Sequence, residues 1–126
     1  MERREAEVVK MAPEKIRIAV MTQGPGGLDD LVSPVFARAP TITFIDVENG
    51  EIVDVAVERN PAASAPRGAG IAAVQFLISK GASVALAGQF GPWASSTASQ
   101  MGIKLVPIPP GTKVKDAVQR YLTSSK

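Results

Sequence analysis

The sequence predicts an α/β domain in which a mixed five-stranded sheet, in strand order 3-2-1-4-5, lies between two layers of helices. Three observations carry this prediction. Ile16-Arg17-Ile18-Ala19-Val20-Met21 and Ser83-Val84-Ala85-Leu86-Ala87 are short, almost continuous apolar runs of the kind buried on both faces of a sheet. Two β-rich runs, 41–47 and 52–58, flank Asn49-Gly50, and Asn-Gly supplies the positive φ of a tight hairpin turn. Beyond residue 70, helix-spaced apolar stripes alternate with short strands, which implies crossover connections and parallel pairing.

Composition narrows the function before any motif does. The chain has 126 residues, 45% hydrophobic and 21% charged, which suits one soluble domain with a real core. No apolar run approaches the roughly 18 residues of a membrane span. The opening Met1-Glu2-Arg3-Arg4-Glu5-Ala6-Glu7 mixes charges and lacks the apolar stretch of a secretory signal, so the expected location is cytoplasmic. A net charge of +2 with scattered basic residues offers no stripe for nucleic acid. There is no cysteine and no histidine. Disulfides, thiolate nucleophiles, histidine bases and Cys/His metal sites are therefore excluded. A metal would fall to carboxylates, carbonyls or the thioethers of Met21 and Met101.

Residues 1–15 read as a charged, flexible extension, and 16–126 as the single domain. The first strand, 16–21, runs into Thr22-Gln23-Gly24-Pro25-Gly26-Gly27-Leu28-Asp29-Asp30. This is neither GxGxxG nor a phosphate loop with its Lys and Ser/Thr. A flexible turn is the first reading; the second makes Gly24, Gly26 and Gly27 points where backbone approaches a ligand. Asp29 and Asp30, being adjacent, point apart and suit turn or helix-cap roles better than a metal pair. The strand at 52–58 alternates, with Val53, Val55 and Val57 on one side and Asp54 and Glu58 on the other, as an edge strand would. Residues 59–68 are too rich in Pro and Ala for regular structure and read as a surface loop.

A helix opens at Gly70-Ile71 with the stripe Ile71, Val74, Leu77 and Ile78, and stops at Gly81. The strand at 83–87 then leads through Gly88-Gln89-Phe90-Gly91 to Pro92, which suits the first position of a helix ending at Gly102. A strand at 104–107 comes next. Thr112 is read as the cap of a last helix whose buried face is Val114, Ala117, Val118, Tyr121 and Leu122. This order is the ribonuclease H-like arrangement. It places the ends of the first and fourth strands side by side, so that the Gly24–Gly27 and Gly88–Gly91 turns meet there with the 60–70 loop nearby. Strand, glycine turn and helix start together make a ligand edge, and helix-start amides favour an anion.

From Ile16 to Leu122 the chain resembles the dinitrogenase iron–molybdenum cofactor biosynthesis family, the nitrogenase accessory-factor domain. The matching pieces are Ile18-Ala19-Val20, Leu28-Asp29, Val32-Ser33-Pro34, Phe36 with Arg38-Ala39, and Asn60-Pro61. Gly68-Ala69-Gly70-Ile71, Gly88 with Gly91-Pro92 and Ala94, Gly102-Ile103, and Gly111-Thr112 with Ala117 complete the ordered set. The resemblance implies the ribonuclease H-like fold and an iron–molybdenum or iron–sulfur cluster as ligand. It also implies that members hold the cluster partly through the histidine of a His-Phe-Gly motif. Here that motif reads Val35-Phe36-Ala37. What survives is contact from backbone amides and Arg38 to an anionic cluster.

Two functions are compatible with these residues. The first is a non-catalytic carrier of an anionic cluster or small anion, with Gly24, Gly26, Gly27, Arg38, Gly68, Gly70, Gly88, Gly91 and Trp93 as its candidate ligand-binding residues. The second is an interaction or regulatory module whose partner is another protein or a second copy of the chain. Phe90 and Trp93 would anchor that partner if exposed, although a core position over the sheet edge is the favoured reading for both. A nuclease needs clustered carboxylates, typically with one on the central strand, and the first strand has none.

Overall fold

Strand β1 (Lys15–Thr22) is apolar from Ile18 to Met21 because it runs through the middle of the sheet, and all four of those residues are wholly buried. The computed structural model describes residues 15–124. The charged extension assigned to 1–15 therefore lies outside the described residues, apart from Lys15. β1 pairs antiparallel with β2 (Thr41–Glu48) and parallel with β4 (Val84–Ala87). β2 pairs antiparallel with β3 (Glu51–Arg59), and β4 pairs parallel with β5 (Lys104–Pro107). The resulting order, β3-β2-β1-β4-β5, is the expected one. Asn49 and Gly50 both take positive φ at the hairpin, 56° and 81°.

Each face of the sheet has its own core, and period-2 alternation sorts residues between them. Ala19, Met21, Ile42, Phe44, Ala85 and Ala87 pack with Val74 and Leu77 of α1 (Ala69–Ser79) and with Ala94 and Ala98 of α2 (Pro92–Met101). On the opposite face Ile18, Val20, Ile45, Val47, Val84 and Leu86 pack with Val114, Ala117 and Val118 of α3 (Val114–Ser124). No helix among the described residues is long and apolar enough to cross a membrane.

Three local expectations are corrected. β3 does not alternate cleanly: a bulge between Asp46 and Val47 pairs Val47 with Ile52, leaving Val53 as the extra residue, 53% exposed. Ile52 and Val55 therefore face the core where Val53 and Val55 were expected. The 59–68 stretch contains a short 3-10 turn, Pro61–Ser64, because Asn60 caps it and Pro61 tolerates the first position. Thr112 does not cap α3. Its hydroxyl donates to the Pro109 carbonyl at 2.7 Å, and the first α3 bond instead runs from the Ala117 N–H to the Lys113 carbonyl.

At the other end of the sheet, Arg17 grips Asp46 with two donors, Nε at 2.7 Å and Nη2 at 3.0 Å, while its Nη1 donates to the Lys80 carbonyl that ends α1. The hydrogen bond from Arg17 holds the Asp46 carboxyl below the usual carboxylate range, against the opposing effect of desolvation. A carboxylate that titrates lower folded than unfolded stabilises fully above its unfolded value near pH 4 and loses that contribution as pH falls through the folded value. Both side chains are partly exposed, so the pair contributes about 1 kcal/mol. Asp46→Asn is expected to lower stability by that amount at neutral pH. In urea titrations the gap to the wild type closes on the acid side of pH 4; a gap constant across pH would rule the pairing out as its source.

Candidate functional site

After β1 the chain loops out and returns as an extended segment that crosses the ends of both β1 and β4. The Ser33 N–H donates to the Met21 carbonyl at 2.7 Å, and the Ser33 carbonyl accepts from the Gly88 N–H at 2.9 Å. Val35 then forms a parallel bridge with Gln89. The crossing is so close that a Cβ on Gly88 would lie 2.8 Å from the Pro34 carbonyl oxygen and 2.9 Å from its Cα. Along this segment Phe36 points inward, 2% exposed, with its ring 5.2 Å from that of Phe90, while Val35 points out, 42% exposed. Val35 thus stands exposed at the switch between β1 and β4.

Gly91, two residues past Gln89, is the N-cap of α2, and Gly68 is the N-cap of α1 with φ 65°. Neither cap has a side chain to accept from the first-turn amides. The two starts touch, since a Cβ on Gly70 would lie 3.3 Å from both the backbone N and the Cβ of Ala94. Two helix N-termini in contact concentrate their partial positive charge at one place. Beside them Trp93 is 73% exposed, which corrects the core reading for that ring; Phe90 is half-buried against Phe36. Trp93 is exposed because the residues that α2 buries, Ala94 and Ala98, lie on a different face of the helix.

The remaining candidates have other work. Arg38 is exposed, but its Nη1 donates to the carbonyls of Ala63 at 2.9 Å and Ala65 at 2.7 Å. Asn60 binds in the opposite direction: its Nδ2 donates to the Ala37 and Ala39 carbonyls, and its Oδ1 accepts from the Ala62 N–H. This clasp fixes the approach to Gly68. The Gly24–Gly27 turn does not meet the Gly88–Gly91 turn. The amides of Gly24 and Gly26 donate to Asp30 Oδ2, that of Gly27 donates to Thr43 Oγ1, and Gly26 lies against Val57 of β3. β3 and β4 stand three strand spacings apart, about 14 Å. Two further residues shape this end of the sheet, and both carry a signal in the sequence. Asp30 stands after the glycines at turn spacing, and Asn60-Pro61 is a cap ahead of a first helical residue.

No set of three or more acidic residues among the described residues could hold a metal, and the chain has no histidine or cysteine. A cluster ligated through protein side chains does not fit this donor set. Fold and edge together define a three-layer, ribonuclease H-like domain with an amide-lined edge at its topological switch point. The chain belongs to the dinitrogenase iron–molybdenum cofactor family, whose model matches residues 14–124. It is similar to the apo form of the orange protein from Desulfovibrio gigas, with 38% identity over 90% of this chain and 92% of that one, and a TM-score of 0.76. A candidate NifB protein from Thermotoga is 33% identical over 84% of this chain and 86% of its own, with a TM-score of 0.68. An uncharacterized protein of Methanocaldococcus jannaschii is 29% identical over 72 residues, 57% of this chain and 61% of that protein's length.

The close crossing at Gly88 is directly testable. Gly88→Ala forces the Pro34 backbone to move and is expected to destabilise by about 1–3 kcal/mol in chemical denaturation. Unchanged stability would mean that the crossing is looser than its geometry implies.

Proposed function

We propose that the chain is a non-catalytic carrier of an anionic metal cluster or comparable anion, held at the sheet edge by backbone amides rather than by side-chain ligation. The observation that carries this is the contact between the two uncapped helix starts at Gly70 and Ala94, beside the outward Val35. Because no thiolate or imidazole ligand exists in the sequence, such a cargo has to arrive with its metal valences already filled. The family's description and the D. gigas relative, whose structure is that of an apo form, support a ligand-bound state for the domain. A second reading has its own support. Trp93, 73% exposed on an uncharged helix, is the kind of side chain that anchors a protein partner.

Anaerobic reconstitution with iron, molybdenum and sulfide, followed by metal and sulfide content and an absorption spectrum, tests the carrier beside a relative that keeps His-Phe-Gly. Stoichiometric uptake is expected. Gly91→Asp is expected to strengthen the α2 cap while weakening uptake about tenfold, since a fixed carboxylate then occupies the amides. Uptake by the relative but not by this chain would sink the carrier and leave the partner reading.

A further inference from the structure

The Gly24–Gly27 turn lies outside the ligand edge, and its amides converge on one carboxylate. Asp30 Oδ2 accepts from the Gly26 N–H at 2.7 Å and the Gly24 N–H at 3.0 Å, and Oδ1 accepts from the Leu31 N–H at 2.7 Å. Among the described residues no Lys or Arg pairs with Asp30, so amide dipoles alone meet its charge. Glycine is required at Gly26 on the wall of this cup and favoured at Gly24. A Cβ on Gly24 would press on Asp30 Oδ1 at 3.0 Å, and Gly26, at φ 92°, lies where a Cβ would meet Val57 at 2.5 Å. The cup is fastened from outside: Thr41 Oγ1 donates to the Gly24 carbonyl at 2.7 Å, and the Asp30 carbonyl accepts from the Val114 N–H at the start of α3 at 2.9 Å.

We propose that this turn is an anion-binding nest whose resident ligand is the chain's own Asp30 carboxylate, and that the emptied nest takes a small monocarboxylate in its place. The side chain works as a latch. It closes the nest to outside anions and holds the turn in shape, while the main chain around it is tied to β2 through Thr41 and Thr43 and to α3 through the Asp30 carbonyl. Three N–H donors facing two oxygens suit a carboxylate, which only accepts, better than an amide, which would turn an NH2 toward one of them. The nest is independent of the carrier edge and is tested without any cluster.

Asp30→Ala and Asp30→Asn in the full chain are melted in sodium formate and in sodium chloride of equal ionic strength, with the Gly24 and Gly26 amide resonances followed by NMR. Asp30→Ala is expected to melt about 5–10 °C below the wild type in chloride. Formate is expected to restore at least half of that loss, saturably, and to shift both glycine amides, while leaving the wild type unmoved. If Asp30→Ala does not fold in chloride, folding in formate alone supports the nest. Formate acting equally on variant and wild type, or on neither, would overturn it. A wild-type melting temperature for Asp30→Asn would do the same, because the charge would then not matter.

Discussion

The carboxyl end of the sheet depends on one close passage, that of Ser33-Pro34 over Gly88. Two backbone hydrogen bonds through Ser33 tie the last residues of β1 to the exit of β4, and they can form only where the residue that follows the fourth strand has no side chain. The segments downstream of both strands inherit that geometry. Val35 bridges to Gln89, Phe36 drops onto Phe90, and Gly91 starts α2 at a fixed height above the sheet. The start of α2 in turn seats Gly70, so α1 begins against it. The position of both helix starts is thus set by contacts between main-chain atoms, which vary less than side-chain rotamers do.

Strand identity and order are legible in the sequence because they derive from burial. A strand hidden on both faces must be apolar throughout, and Ile18–Met21 and Val84–Ala87 are. The hairpin is legible because Asn49-Gly50 imposes its own turn. Three other features are hidden, each for a different reason. The bulge at Val53 puts Ile52 on the core face in its place without changing composition, so alternation points to the wrong residue. Asp30 stands at turn spacing after the glycines, but where the turn sits over the sheet is hidden, because its fastening to β2 runs through the hydroxyls of Thr41 and Thr43. Trp93 departs from the usual burial of aromatic rings because α2 satisfies the core with two alanines and turns its large ring outward.

The edge also differs in charge from the rest of the molecule. α2 carries no ionisable residue, and Arg38, the arginine expected at the site, is engaged with carbonyls of the 3-10 turn. Attraction for an anion there combines the charges of Arg38 and of exposed Arg67, which precedes Gly68, with the peptide dipoles of the helix starts. The dipoles are fixed in direction and, unlike a lysine, need no side-chain ordering when a ligand arrives.

The bulge on β3 has a consequence for the molecule's behaviour in a crowded solution. β3 is an outermost strand of nine residues, with Val53 and Val57 both substantially exposed, and a straight ribbon of that length would offer a template for adding another chain. The extra residue interrupts the outward row of donors and acceptors and swings Asp54 and Val55 out of step with it. A local irregularity in pairing therefore blunts this edge as a template for a further strand.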